Sequence, residues 1–442
     1  MIIRNAKIVT WGSNNQILEG QDLLIRGGLI EKIVPQGTSF DSQEEVVDAR
    51  GQLLMPGNIC AHTHYYGAFA RGWSYPGEAA SNFVEILERL WWRLDKALSP
   101  EAVKYSALVC LVDAIKYGTT TLFDHHASPS CIEGSLDIEH DAMVQSGLRG
   151  SLCYEVTDRD GNEKALAGIQ ENARFIDRVV KGQADSKIRA HFGLHASLTL
   201  SDETLEACLK ANSHQAGFHV HAAEGIADEE DSLRKYGKRV IKRFHDLGIL
   251  GEKTILAHGV HCDADELNLL AASGSWLSHQ PRSNMNNAVG VAPILDMLGK
   301  GIKVCLGNDG FSNAMWSEMQ AAYFIHKDNH ADPRAMGGYE VMKMAIENNS
   351  LLATQTFDGL PIGMIAPGAA ADLILVDYQP ITPLTAGNLP WQMLFGFRDG
   401  MVTSTMVDGK WLMKDRVLLT LDEVEIVAKA KEIAANTWDK IH

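Results

Sequence analysis

The sequence predicts an α/β chain with a TIM-like (β/α)8 barrel at its centre and a small β-sandwich built from its two ends. Three observations carry this. From about residue 57 to 360, short apolar runs alternate with longer amphipathic stretches and give eight candidate strands. Both flanks read as short strands separated by turn signals, and neither can bury a sheet face alone. Histidines and acids recur where the central runs end, which in a barrel is the face that carries the chemistry.

The totals set the frame. The chain has 442 residues, 45% hydrophobic and 22% charged, too many for one small core and suited to a large domain plus a smaller one. A formal net charge of -16, with no Lys/Arg cluster, argues against a nucleic-acid partner. Seven scattered cysteines without a CxxC pair read as reduced thiols, not a disulfide framework. The start of the chain lacks the shape of a signal peptide, and no apolar run approaches the ~18 residues of a membrane span. The expectation is a cytoplasmic protein with no membrane partner.

Taken in order, Ile2-Ile3 and Ile8-Val9 read as strands, and Leu23–Ile25 and Leu29-Ile30 bracket Arg26-Gly27-Gly28 as a hairpin. The central strands are expected at Asn58–Ala61, Thr119–Phe123, Arg149–Tyr154, Ile188–Leu194, Gly217–Val220, Thr254–Ala257, Ser275–Ser278 and Lys303–Leu306. Between the first two lies a helix with Ser99 as cap, Pro100 at its first position and Gly118 after its last turn. Strand texture returns at Ala371–Asp377 and at Thr405–Met413, the latter folded at Asp408-Gly409. The simplest organisation places 1–56 and 361–442 in one β-sandwich and 57–360 in the barrel. Leu421 to Ile441 reads as a closing helix, with Val424, Val427, Ala428, Ala435 and Trp438 as its packed face. A doubly wound sheet is the alternative, but no GxGxxG or P-loop supports it.

The strand ends are where function concentrates. The first ends in His62-Thr63-His64, whose two imidazoles share one face of a strand. Alone, that pair reads as two polar residues at a strand end. The fifth strand ends in His219-Val-His221-Ala-Ala-Glu224, the sixth in Ala257-His258-Gly259, the seventh in His279, and the eighth in Leu306-Gly-Asn-Asp309-Gly310. Together, histidines and a carboxylate at the ends of strands one, five, six and eight make a divalent-metal site, with one carboxylate left for proton transfer.

The order Pro56-Gly57 then His62-Thr-His64, His221-x-x-Glu224, Ala257-His258-Gly259 and Asp309-Gly310 resembles the amidohydrolase superfamily in its cytosine/guanine deaminase-like branch. Gly363-Met-Ile-Ala-Pro-Gly-Ala-Ala-Ala-Asp-Leu373 is similar to the segment that follows the barrel in that family. Leu90-Trp-Trp-Arg-Leu-Asp95, Asp124-His-His-Ala-Ser-Pro129 and Arg282-Ser-Asn-Met-Asn-Asn287 look closest to SsnA-type aminohydrolases. The resemblance implies hydrolytic deamination of an aminated heterocycle such as a purine, pyrimidine or pterin, by hydroxide on a metal. It implies His62, His64, His221 and Asp309 as ligands of one divalent ion, Zn²⁺ by default and Fe²⁺ otherwise. Glu224 then protonates the ring nitrogen, Asp309 relays a proton to departing ammonia, and His258 orients the nucleophile or polarises the substrate. The family also implies a homo-oligomer, and its two-metal members carry a lysine or glutamate on a middle strand. The fourth strand here has no such lysine, so one ion is expected, with Glu155 as the residue able to overturn that.

Among the neighbours, His195 and Arg149 are expected to contact substrate. His219 reads as structural, His279 as near the site but not a ligand, and His125 or His126 as able to face the pocket. His245, His326 and His330 read as surface residues, and Trp91-Trp92 as packing. Nucleoside deaminases of the branch recognise ribose with a glutamate whose nearest counterpart here is Asp95, which inclines the reading toward a free base or pterin-like ring. Rival activities on such a site are hydrolytic dechlorination, cyclic-amide hydrolysis, or metal binding without catalysis.

Overall fold

In the computed structural model, residues 1–12, 15–40, 43–73 and 77–441 are described. The centre is the barrel. Its strands are β1 (Asn58–Thr63), β2 (Thr119–Asp124), β3 (Arg149–Leu152), β4 (Ile188–Ala190 and Phe192–Ala196), β5 (Phe218–Ala222), β6 (Ile255–His258), β7 (Trp276–His279) and β8 (Lys303–Leu306). All neighbouring pairs are parallel. The fourth strand breaks at His191: its first half pairs with β3 and its second half with β5.

The ring closes between β8 and β1 at the residues of interest. Asn308 and Asp309 donate their amides to the His62 carbonyl at 3.0 and 3.1 Å, and the His64 amide returns to the Asp309 carbonyl at 3.1 Å. This approach needs Gly307, because a Cβ there would lie 2.7 Å from the His62 nitrogen. Ile59, Ala61, Phe123, Ile255, Trp276 and Cys305 form one buried cluster drawn from five strands, so the barrel is filled and not a pore.

The two termini make two further sheets. A four-stranded sheet runs Leu29–Pro35, Gln21–Arg26, Ile2–Arg4, Val46–Asp48. A seven-stranded sheet joins both ends of the chain where Leu373–Val376 pairs antiparallel with Leu53–Pro56. Ile3, Ile8, Leu23, Leu54, Leu373 and Met406 fill the space between them, the interior of a β-sandwich. Both expected hairpins form, and Gly27-Gly28 and Asp408-Gly409 have positive φ at both turn positions, as a tight two-residue loop requires.

The helix Pro100–Lys116 starts where its cap chemistry places it, with the Ser99 side chain accepting from the Ala102 amide. The closing helix, Glu423–Trp438, also forms, but on a different face. Ile426, Ala430, Ile433 and Thr437 are buried, whereas Val424, Val427, Ala428 and Ala435 are exposed. Two apolar stripes compete on this helix, and the one carrying Ile426 and Ile433 meets the helix Pro100–Lys116.

Candidate active site

His62 and His64 leave the end of β1, His221 lies on β5, His258 ends β6, and Asp309 follows β8. All are buried or nearly so. One ligand atom from each of His62, His64, His221 and Asp309 lies within 4.8 Å of the others. The Asp309 Oδ1 stands 2.9 Å from His64 Nε2 and 3.5 Å from His62 Nε2, and His64 and His221 bring their Nε2 atoms to 3.1 Å.

The outer nitrogens define which face is free. His64 Nδ1 donates to the His125 carbonyl at 2.5 Å and His221 Nδ1 to the His195 carbonyl at 2.9 Å. A neutral imidazole with a donating Nδ1 has a bare Nε2. His62 Nδ1 meets His219 Nε2 at 2.9 Å, and His62 Nε2 has no hydrogen-bond partner. Three imidazole Nε2 atoms and a carboxylate thus converge on one buried point, the donor set of a divalent ion with nitrogen preference. Burial works against a charged His64, yet Asp309 and Glu155 outweigh it and raise that imidazole to about 10. Burial also works against Asp309 as a carboxylate, and His62 and His64 still hold it well below the usual range. Both shifts mark a place that demands positive charge. The residues fit a metal.

Around the cage, the backbone is strained. Ala223, His258 and Asp309 all have positive φ, at +51°, +76° and +58°. The turn at Ala223 carries the chain from His221 to Glu224. Glu224 is buried, its Oε1 accepting from Asn287 at 3.3 Å and its Oε2 3.4 Å from His258 Nε2. Burial and the neighbouring Asp309 charge push its carboxyl up to about 7, against the pull of His258. His258 Nδ1 donates to the Asn284 side chain at 2.8 Å, which turns its Nε2 toward Glu224. Ser283 donates to Asp309 Oδ2.

A cavity opens onto these groups. Its polar wall includes Asp95, Glu155, His195, Glu224, Asp228 and Asn287, and its apolar wall Tyr66, Phe83, Leu87, Trp91 and Trp92. His195 lines it, with Nδ1 tied to Thr199 at 2.6 Å and Nε2 turned inward. Glu155 sits against His125 Nδ1 at 2.9 Å and on the Nδ1 side of His64 at 3.4 Å. A second ligand set, His64, His125, Glu155 and His221, overlaps the first. His64 turns its Nε2 to Asp309 at 2.9 Å and to His221 Nε2 at 3.1 Å, which favours the first set.

Three expectations need correction. Arg149 does not line the cavity: it begins β3, and its guanidinium holds Asp372 at 2.7 and 3.2 Å. Trp91 and Trp92 are not mere packing, since both face the cavity. They sit where a π-helical turn, Leu87–Trp91, passes into the helix Trp92–Ala97, a local distortion that swings side chains off the regular helical positions. His326 is fully buried, its Nε2 3.2 Å from His279 Nε2, because the helix Met315–His330 lays that face on the barrel; His245 and His330 are exposed. His125 and His126 are both buried, and neither lines the cavity.

The groups that sequence reasoning passed over are Ser283, Asn284 and Asn287, which hold Asp309, His258 and Glu224. Their signal is present in the segment after β7: Ser283 lies on the short helix Pro281–Asn286, and Asn287, four residues on, is its C-cap.

Comparison with known proteins places the chain in a family. The profile of the amidohydrolase family matches residues 53–412. The chain is 32% identical to a 5-methylthioadenosine/S-adenosylhomocysteine deaminase of Syntrophomonas wolfei subsp. wolfei, over 98% of each chain. It is 31% identical to a 5'-deoxyadenosine deaminase of Methanosarcina barkeri, over 100% of this chain and 99% of that protein. An adenosine deaminase from Xanthomonas campestris, solved with bound zinc, superposes with a TM-score of 0.83 at 22% identity, over 99% of this chain and 98% of that one. The chain belongs to the amidohydrolase family.

Proposed function

We propose that this protein is a metal-dependent hydrolytic deaminase of an aminated N-heterocycle, with one Zn²⁺ held by His62, His64, His221 and Asp309. The observation that carries it is the pairing of that cage with Glu224, a buried carboxyl raised to about 7 at the cavity floor. A divalent ion in the cage supplies Lewis acidity and, by lowering the pKa of water from 15.7 toward about 7, a nucleophile at neutral pH.

The protein's own groups do the rest. Glu224, held by Asn287, has its proton available at neutral pH for the ring nitrogen of a heterocycle in the cavity. His258, oriented by Asn284, receives or returns that proton through Nε2. Asp309, kept ionised and accepting from Ser283, is the acceptor that passes a proton to departing ammonia. His195 Nε2 and the tryptophan pair hold the ring.

The substrate we assign is an aminopurine. The relatives covering almost the whole chain are named for adenine nucleosides, which supports the sugar-bearing form over the free base. Asp95, held by Arg159, lies in the cavity wall and is the acceptor we assign to a sugar hydroxyl. Seven free cysteines support a reducing, cytoplasmic setting.

The test is ammonia release from metal-loaded protein across adenine nucleosides, free purines, pyrimidines and pterins, with chloride release from chlorotriazines assayed in parallel. Deamination of a 6-aminopurine that Glu224→Gln abolishes is the expected result. Ammonia from none of these, or chloride release alone, overturns the reading.

A further inference from the structure

Away from the active-site cage, the structure buries a second concentration of ligating atoms. Asp124 ends β2, His126 follows it by two, and Glu139 comes from the helix Ser135–Ser146. All three side chains have no solvent exposure. One ligand atom from each lies within 4.8 Å of the others, with His126 Nδ1 and Glu139 Oε1 at 2.7 Å.

The hydrogens can be counted. The Ser128 hydroxyl donates to the Cys131 carbonyl at 2.9 Å, so at its 2.8 Å contact with His126 Nε2 it accepts. His126 therefore carries its hydrogen on Nε2, and its neutral form has a bare Nδ1. Asp124 Oδ1 is used by the Tyr65 amide at 2.7 Å. What remains is His126 Nδ1, Asp124 Oδ2 and both oxygens of Glu139, none of which has a hydrogen-bond partner. Four acceptors face one another, fully buried, and no neighbouring N–H or O–H group among the described residues points between them. Such a group is matched either by a cation at its centre or by protons held on the carboxyls, and the imidazole lone pair among them favours the cation.

We propose that Asp124, His126 and Glu139 hold a second divalent cation, separate from the catalytic one. One imidazole and two carboxylates suit Zn²⁺ or another first-row ion, and their two negative charges neutralise it. Because the site is closed, the ion enters as the chain folds. It joins the end of β2 to the helix Ser135–Ser146, next to groups that position His64. Tyr65, which Asp124 holds, follows His64, and His125, whose carbonyl accepts from His64 Nδ1, lies between Asp124 and His126.

Zinc content after refolding with excess Zn²⁺ and desalting decides the matter. Two zinc ions per chain are expected in the wild type, one in Asp309→Asn and one in Glu139→Gln. A wild type with one ion, absent from Asp309→Asn, overturns the proposal and leaves a shared proton at the buried cluster. Two ions in both wild type and Glu139→Gln also overturn it, because the second ion then lies elsewhere. Should Glu139→Gln fail to fold, anomalous scattering at the zinc edge from wild-type crystals gives the answer. A peak between Asp124 and Glu139 supports the site, and its absence overturns it.

Discussion

His64 and His221 aim their Nε2 atoms at each other from 3.1 Å while their Nδ1 atoms donate to backbone carbonyls. Two imidazole nitrogens at that distance need a positive charge between them, carried by a proton on His64 or by a metal ion shared with Asp309. Chelation should therefore weaken the fold as well as remove activity. A free ion at a hundredfold excess over its Kd contributes about 2.7 kcal/mol to stability. Thermal melts with and without chelator read this, and a melt unchanged by complete metal removal would contradict it. Asp309→Asn, which keeps the shape and removes the charge, should weaken metal affinity at least tenfold.

Glu224 is expected to behave as an acid that must arrive protonated. Its carboxyl, raised to about 7 by burial and by Asp309, gives up its proton as pH rises through that value. We expect kcat/KM to fall about tenfold per pH unit above the limb. Glu224→Gln cannot donate, so turnover should drop roughly 100- to 10,000-fold with metal content unchanged. A Gln variant that keeps more than a tenth of wild-type kcat would remove Glu224 from the proton path.

Much of this was legible in the sequence because it is periodic or local. The eight strands follow from alternating runs, and the ligand positions follow from the rule that barrel chemistry sits at strand ends. His62 and His64 share a face by parity alone. What the sequence hides is direction over distance. Arg149 begins its strand, and at about 3.3 Å per residue its Cα lies roughly 10 Å below the far end of β3. Its guanidinium goes instead to Asp372, which is 223 residues away in the chain. Trp91 and Trp92 were misread because the π-helical turn Leu87–Trp91 changes the helical phase, which no 3.6-residue pattern anticipates. His326 is buried because its partner, His279, stands at the end of β7, a contact that sequence spacing does not reveal.

The tryptophan pair should act on binding and not on the chemical step. Trp91 and Trp92 face the cavity beside His195, whose ring centre is 6.4 Å from that of Trp92. Stacking of a base on an aromatic ring contributes about 1–3 kcal/mol. Trp92→Ala is thus expected to raise KM by roughly 10- to 100-fold with kcat within about threefold of wild type. Steady-state kinetics on the best substrate distinguishes this from a packing role, which would lower the melting temperature and leave KM alone.

Arg149 supplies the opposite pattern. Its fork-on-fork contact with Asp372 is almost fully buried, at 4% and 1% side-chain exposure, and Asp372 also accepts from the Asp408 amide at 2.8 Å. The pair thereby links β3 to the terminal sheet that contains Leu373–Val376 and Val402–Val407. Removing one partner leaves a buried charge unmatched, which costs about 3–5 kcal/mol. Arg149→Met should lower stability by that amount in denaturant titration and leave KM unchanged in the fraction that folds. Arg149→Lys retains the charge but not the planar fork, so its loss should be smaller. A tenfold rise in KM in Arg149→Lys, without a change in stability, would return this residue to the substrate and refute its place at the far end of the barrel.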